Sequence, residues 1–212
     1  MKALLRKDFY LLKSYCKSYV LICAVFPGVC LVGGGNLFFI AYPAMLCSLV
    51  PVTLMAYDER SRWTEYCACL PFTRAQMVSG KYLTGLLCSA VIWLLNAAML
   101  LVLPGLDADA KLFLMAVILC LSLVSPAVCL PFVFRYGTEK GRIAYYLAIG
   151  LFCALSYALM DSAGIEAGDI GTLSGTAGSL LPGLGIACLI CAGLYAASWV
   201  LSIRFFEKKA LG

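Results

Sequence analysis

Few side chains in this sequence are of the types that carry out catalysis. The chain contains no histidine, so it lacks the commonest general base, neutral metal ligand and pH switch. Its 12 cysteines lie mostly in apolar runs, where a thiol behaves as a small hydrophobe. Cys188 and Cys191 have the spacing of a redox motif, but they lie in an apolar segment without the strand and helix context of such motifs. These residue types exclude zinc hydrolases with histidine ligands, and they predict neither a catalytic residue nor a metal site in this chain.

A short polar segment, residues 58–71, carries the side chains best suited to binding a protein. Its aromatic and apolar residues recur at the i, i+3, i+4 and i+7 spacing of one helix face, and Pro71 ends the pattern. These residues are Trp63, Tyr66, Cys67 and Leu70, and the charged residues around them are Asp58, Glu59, Arg60, Arg62 and Glu65. An aromatic face with a charged rim is typical of a protein docking surface. The alternative is that this face packs on lipid headgroups or on neighbouring helix ends.

The first 17 residues show a different pattern, which is typical of a helix at a membrane surface. The basic residues Lys2, Arg6, Lys13 and Lys17 share one sector of a helical wheel, and Leu5, Phe9, Leu12 and Cys16 form the adjoining apolar face. The pattern predicts an interfacial helix over residues 1–17 whose basic side meets anionic headgroups. A simple basic anchor is the alternative. Asp8 falls among the apolar positions, and the local pattern does not account for it.

The elements that position these segments are apolar runs long enough to cross a bilayer. Of the 212 residues, 63% are hydrophobic and 13% are charged, which is about half the charged fraction of a soluble domain. Six such runs lie at about residues 19–35, 37–57, 77–103, 112–134, 143–160 and 180–206. We therefore predict an all-α integral membrane protein with six transmembrane helices, forming a single domain over residues 1–212. The composition excludes a separate soluble domain.

Lysine and arginine residues are distributed by membrane side. All but one of the 16 lie at or next to the two termini, the connection between the second and third spans, or the connection between the fourth and fifth; Lys111 is the exception. By the positive-inside rule, both termini and these two connections face the cytoplasm. The net charge of +5 therefore reflects topology, and we expect contact with membrane lipid and none with nucleic acid.

The predicted membrane interior offers little with which to couple transport to an ion gradient. Asn96 is its main deep polar side chain, and Lys81 lies near the cytoplasmic end of a span. Ion-coupled carriers commonly keep a charged side chain at mid-bilayer, although insertion there costs about 2.5–3.5 kcal/mol. Gly80-Lys81 also lacks the upstream glycine and the following Ser or Thr of a phosphate-binding loop. A self-contained secondary carrier or channel is the alternative to an externally powered transporter, and an intramembrane enzyme is a weaker one.

Proline and glycine residues suggest irregularities within the spans. Pro126 and Pro131 fall inside the fourth predicted span, where a lost backbone hydrogen bond bends a helix. Glycines are frequent over residues 164–185, between the fifth and sixth predicted helices. This stretch is consistent with close helix contact, with a short re-entrant turn or with a flexible outer loop.

Two cytoplasmic segments resemble those of a known transporter family. The strings are MKALLRKDF at 1–9, YDERSRW at 57–63, LPFTR at 70–74 and SGKY at 79–82. They resemble the small ABC-2 type permeases of Gram-positive bacteria, and they are similar in particular to permease subunits of phenol-soluble modulin exporters. The likeness covers the whole chain in layout and is most specific over residues 50–82. It implies a permease subunit of an ATP-driven exporter in the bacterial plasma membrane, moving amphipathic peptides or other hydrophobic molecules out of the cell.

The same resemblance implies partners and roles for the two polar segments. Two permeases, identical or paralogous, pair side by side, and each docks a separate ABC ATPase that binds ATP and Mg²⁺, while this chain binds no cofactor of its own. Residues 1–17 correspond to an elbow helix, and residues 58–71 correspond to a coupling helix in a groove of the ATPase. The implied docking residues are Asp58, Glu59, Arg60, Arg62, Trp63, Glu65, Tyr66, Cys67 and Leu70, and the implied interface residues of the elbow are Lys2, Arg6, Phe9, Lys13 and Lys17.

Overall fold

The computed structural model is built of α-helices and turns, with no β-strand among the residues it describes. Those residues are 2–15, 49–69, 73–102, 107–143, 145–147 and 170–209, with isolated positions between 17 and 46 and at 150 and 154. The helices with defined ends are α1 (Lys2–Tyr15), α2 (Val50–Arg60), α3 (Trp63–Ala68), α4 (Arg74–Val102), α5 (Ala108–Tyr136) and α6 (Ile170–Lys209). Residues 138–143, directly after α5, are also helical.

Three helices in the described part of the chain are long and apolar enough to cross a membrane. The candidate spans are Arg74–Leu101, Ala108–Tyr136 and Gly183–Phe206. They confirm three of the predicted spans, those at 77–103, 112–134 and 180–206. The predicted span at 37–57 is described mainly near its end, in α2, and those at 19–35 and 143–160 lie almost wholly outside the described residues. The all-α membrane class is therefore confirmed, whereas six spans and cytoplasmic termini stay predictions.

The helix predicted over residues 58–71 has different bounds in the structure. Asp58 belongs to α2, which ends at Arg60, and the separate six-residue helix α3 begins at Trp63. Between them, Arg62 has a left-handed φ of 50°, a conformation that is rare for a residue with a Cβ atom. The bend contains neither glycine nor proline, so the sequence contains no local indication that the helix is interrupted there. Leu70 and Pro71 lie outside the described residues.

The glycine-rich stretch is also different from what its composition suggested. Helix α6 begins at Ile170 and has 40 residues, a length of about 60 Å. Glycines of this stretch from Gly171 onward thus belong to a helix rather than to a loop or a re-entrant turn, because isolated glycines weaken a helix without ending it. Helix α5 likewise continues through Pro126 and Pro131.

Helices α4, α5 and α6 form the central bundle, in which α5 and α6 have the most extensive contact. Helix α2 packs against α4 at Gly85, where an added Cβ atom would lie 3.0 Å from Cγ of Pro51. The small residue permits this close approach. Asp58 lies two turns after Pro51 on α2, and Lys81 lies one turn before Gly85 on α4. The crossing therefore brings these two charged residues together.

Helix α1 runs alongside α4. Leu4 lies against Gly80, with its Cβ atom 3.8 Å from the position of an added Cβ, and one turn later Asp8 approaches Thr84. Successive turns of the two helices are therefore in contact. An interfacial elbow would lie in the membrane plane, and the elbow role of residues 1–17 stays a prediction. The ion pair of Asp8 with Lys81 also connects α1 to α4.

Candidate functional site: a buried ion cluster beside a short polar helix

Four charged side chains meet where α1, α2 and α4 converge, and we call them the ion quartet: Lys7, Asp8, Asp58 and Lys81. Lys7 Nζ lies 2.6 Å from Asp58 Oδ1 and 3.3 Å from Asp8 Oδ1. Lys81 Nζ lies 2.7 Å from Asp8 Oδ1 and 2.7 Å from Asp58 Oδ2. Each lysine therefore contacts both carboxylates, and the two positive and two negative charges balance.

The ion quartet is largely shielded from solvent. Asp8 is 2% exposed and Asp58 and Lys81 are each 8% exposed. Burying a charge costs several kcal/mol unless a partner of opposite charge and hydrogen bonds compensate it. Because every member here has two opposite charges within reach, the arrangement is stable only while α1, α2 and α4 keep their relative positions. The ion quartet thus fixes three helices to one another at a single point.

Lys7 also connects the ion quartet to α3. Its Nζ atom lies 4.5 Å from the ring centroid of Trp63, the first residue of α3, in the geometry of a cation–π contact. The Trp63 ring in turn lies 5.6 Å from the Tyr66 ring, measured between centroids. A displacement of α3 would therefore act directly on Lys7, and through it on both aspartates.

The two faces of α3 are in different environments. Cys67 is fully buried at 0% exposure, whereas Tyr66 is 61% exposed and Cys69, at the end of the helix, is exposed. Burial raises the pKa of the Cys67 thiol, with Asp58 adding to the increase and Lys7 opposing it. Of the aromatic and apolar positions predicted to form the docking face, Cys67 points to the protein interior, Trp63 is half-buried and Tyr66 is presented to the outside.

A cavity of about 320 Å³ adjoins the ion quartet. Its walls combine the charged residues with apolar side chains from α2, α4, α5 and α6, among them Met55, Met77, Phe134 and Phe206. Close-packed interiors leave few voids larger than a water molecule. The space therefore gives the helix ends around the ion quartet room to shift.

The remaining predicted polar residues belong to several elements. Glu59 is at the end of α2, where its Oε2 atom accepts a hydrogen bond of 2.5 Å from Thr138 Oγ1. Arg60 and Arg62 are exposed at the bend. Lys2 and Glu65 belong to α1 and α3 respectively, and Arg6, Phe9, Lys13 and Lys17 are exposed residues of the N-terminal segment.

Sequence reasoning missed the partners of Asp58. In the sequence, Lys7 and Lys81 indicated only which membrane side their segments face. The presence of Asp8 among apolar neighbours had no explanation. The available signal was a lone acid on the apolar face of α1 and a lone lysine just inside a span, since charged groups in such positions are stable only when paired. Which residues pair could not be read from the sequence, because they are separated by up to 73 positions.

A second, uncharged polar cluster joins α4 to α6 inside the bundle; we call its members, Tyr82, Tyr195, Ser198 and Ser202, the hydroxyl cluster. The Tyr82 hydroxyl lies 2.8 Å from Ser198 Oγ and 2.7 Å from Ser202 Oγ. Tyr195 donates a hydrogen bond of 2.7 Å to the carbonyl oxygen of Tyr82. Hydroxyl groups commonly join helices within membranes in this way. The hydroxyl cluster holds α6 against α4.

The apolar helices and their polar joints define a multi-pass membrane protein. A comparison with protein families adds the class of transporter: the profile described as ABC-2 family transporter protein matches residues 3–207. The chain therefore belongs to the ABC-2 transporter family, as the membrane permease component of an ABC transporter, and this membership implies an ABC ATPase partner. Comparisons with curated proteins and with solved structures yield no significant match.

Proposed function

We propose that this chain is the permease subunit of an ATP-driven exporter and that α3, with the bend before it, is the element that docks the ATPase. The observation that carries the proposal is the contact of Lys7 with both Trp63 and Asp58. Through it, a short polar helix with an exposed tyrosine is joined to three helices of the bundle. A partner that holds α3 would therefore act on the bundle itself.

The docking surface consists of Tyr66 as the aromatic anchor, with Arg60 and Arg62 as charged residues at its rim. Tyrosine and arginine are the residue types that most often dominate binding energy at protein interfaces. Glu65 and Leu70 complete the surface in this proposal. Cys67 supports it from the buried side of α3, and Trp63 supports it through its contact with Lys7.

Motion passes from the ATPase to the permease in three steps. Binding of ATP and Mg²⁺ by the partner ATPases favours one of their conformations, and this differential preference supplies the energy for the shift. The shift moves α3 relative to the bundle. Lys7 then transmits the movement to Asp8 and Asp58, and hence to α1, α2 and α4. The permease contributes the path, and no chemical step takes place on this chain.

The charge distribution and the family membership support the cellular setting in this proposal. Two permeases, either two copies or two paralogues, pair in the bacterial plasma membrane with their basic ends and termini in the cytoplasm. Exposed Phe9 and Tyr10 on α1, beside Arg6 and Lys13, contact lipid at the inner surface, since aromatic and basic residues prefer that depth. The exported molecules in this proposal are amphipathic peptides or other hydrophobic compounds, because the described spans provide apolar walls.

Substitution of Tyr66 by alanine tests the docking surface. Loss of a central aromatic anchor costs 2 kcal/mol or more, a weakening of about 30-fold, so the partner ATPase should no longer co-purify with this chain. Tyr146→Ala, at an exposed tyrosine following α5, is the control and should retain the ATPase. Normal co-purification and transport with Tyr66→Ala would refute α3 as the docking element.

Substitution of Lys7 by methionine separates docking from transmission. The variant loses the contact with Trp63 and the ion pairs while leaving Tyr66 in place. We expect the ATPase to bind within about threefold of the wild-type level, since exposed surface residues carry the binding energy, and ATP-driven export to be lost. Uphill transport by the permease reconstituted alone would instead favour a self-contained carrier.

A further inference from the structure

A second cavity, which we call the basic pocket, lies at the same end of the bundle as the ion quartet. Its volume is about 480 Å³. It lies between the end of α2 and the segment that follows α5, and its polar lining includes Glu59, Arg60, Thr138, Glu139, Lys140 and Arg142. The ion quartet does not line this space, and the proposed docking surface shares only Arg60 with it.

Positive charge predominates in the basic pocket. Arg60, Lys140 and Arg142 line it, opposed by Glu59 and Glu139. The Glu59 carboxylate already accepts the 2.5 Å hydrogen bond from Thr138 Oγ1. Among the residues that the structure describes, the three cations form no ion pair. The three cations outnumber the two carboxylates, and guanidinium and ammonium groups are suited to an anion with several oxygen atoms, such as a phosphate group.

The backbone that carries two of these cations is tightly fixed. Gly137 has a φ of 91°, which favours glycine, and it turns the chain back at the end of α5. An added Cβ on Gly141 would collide with Cγ2 of Val133 and lie 3.1 Å from its Cα atom. The segment therefore packs closely on the last turns of α5, and Lys140 and Arg142 are held on a defined backbone.

An exposed apolar ridge leads along α5 to the basic pocket. Val128, Phe132 and Tyr136 are spaced at i, i+4 and i+8, and all three are exposed. The rings of Phe132 and Tyr136 stack with centroids 6.3 Å apart, and Tyr136 itself lines the basic pocket. Such a ridge on a spanning helix provides a surface for an acyl chain.

We propose that the basic pocket binds the phosphodiester headgroup of an anionic phospholipid, with an acyl chain of that lipid along the ridge from Val128 to Tyr136. The phosphate group pairs with Arg60, Lys140 and Arg142. A soluble phosphate compound shares the headgroup chemistry, but it leaves the ridge uncovered. The continuity of ridge and pocket favours the lipid.

Native mass spectrometry of the full chain in mild detergent tests this site. Phosphatidylglycerol and phosphatidylcholine with identical acyl chains are offered at equal concentration. A basic residue near a membrane surface contributes about 1 kcal/mol to binding an anionic lipid. We therefore expect the triple variant R60Q/K140Q/R142Q to lower retention of phosphatidylglycerol at least about tenfold and to leave retention of phosphatidylcholine unchanged.

A variant with the same change in net charge elsewhere provides the control. R204Q/K208Q/K209Q removes three positive charges at the end of α6 and should retain phosphatidylglycerol within about twofold of wild type, because the pocket charges remain. An equal loss in both triple variants, or no loss in the pocket variant, overturns the proposal. If the pocket variant does not fold, R142Q alone should weaken retention about fivefold, and R60K/R142K should preserve it.

A soluble ligand distinguishes the two sources of phosphate. Glycerol phosphate is added to lipid-depleted protein, and binding is measured by calorimetry. The lipid proposal predicts no saturable binding in the millimolar range. Saturable binding that is lost in R60Q/K140Q/R142Q, together with unchanged retention of phosphatidylglycerol, would overturn the lipid assignment in favour of a soluble phosphate ligand.

Discussion

Adjacent residues of α4 join it to different helices by different chemistry. Lys81 belongs to the ion quartet and connects α4 to α1 and α2 through charge. Tyr82, the next residue, belongs to the hydroxyl cluster and connects α4 to α6 through neutral hydrogen bonds. The bundle thus has a charged joint on one side of α4 and an uncharged joint on the other.

The charged and the uncharged joint differ in how much stability is lost when one of their residues is substituted. A buried ion pair that loses one partner leaves an uncompensated charge, which costs about 3–5 kcal/mol. A hydroxyl contact between membrane helices contributes on average only about 0.6 kcal/mol. A charged joint is therefore sensitive to small displacements, as a transmitting element requires, whereas a neutral joint tolerates them. This difference supports the proposal that movement of α3 reaches α1, α2 and α4 through the ion quartet.

The largest effect is expected from Asp58→Asn. The substitution leaves Lys7 and Lys81 with a single carboxylate, that of Asp8. The expected loss of unfolding free energy is about 3 kcal/mol, at the lower end of the range for a broken buried pair, because the Lys7 side chain is 21% exposed and can reach solvent. SDS-induced unfolding of the purified chain measures this loss.

Two further variants show whether the loss comes from unpaired charge. Asp109→Asn neutralises an exposed acid in the first turn of α5 and should cost less than about 1 kcal/mol. Asp58→Leu combined with Lys81→Met removes one charge of each sign and should recover most of the stability lost in Asp58→Asn. If Asp58→Asn is as stable as Asp109→Asn, the ion quartet does not hold these helices together.

Tyr82→Phe tests the neutral joint and should have a smaller effect. It removes the contacts to Ser198 and Ser202 but keeps the ring, which stacks on Trp199 with centroids 5.6 Å apart. We expect a loss of about 1 kcal/mol in the same SDS titration, with export unchanged. Tyr146→Phe, at an exposed tyrosine, is the matched control and should cost nothing. A loss as large as that of Asp58→Asn would remove the distinction between the joints.

The sequence was sufficient for the features that depend on local pattern. Apolar runs of spanning length predicted α4, α5 and α6, because a helix in lipid must satisfy its own backbone hydrogen bonds wherever it occurs. The same reasoning did not reveal the bend at Arg62, since its left-handed backbone has no glycine to indicate it. The helical course of residues 171–179 was also missed, because glycine content favours several local structures at once.

Features that depend on pairing between distant segments required the structure. Trp63 and Tyr66 indicated a candidate docking segment in the sequence, but burial of Cys67 depends on how α3 packs against the bundle. The ion quartet joins three helices, and a lone Asp8 in the sequence indicated only that a partner must exist. The crossing of α2 over α4 at Gly85 determines which lysine contacts Asp58. No local sequence pattern predicts that crossing.

The smallest effect is expected in thiol labelling on α3. A maleimide reacts with the thiolate, so the raised pKa and the burial of Cys67 should make its labelling at pH 7.5 much slower than that of exposed Cys69. Peptide mapping by mass spectrometry measures both rates in one sample. In Asp58→Asn the pKa of Cys67 should fall, because the negative charge that helped to raise it is gone, and Cys67 labelling should accelerate while Cys69 is unchanged. Equal rates in the wild-type protein would show that α3 does not bury one face against the charged joint.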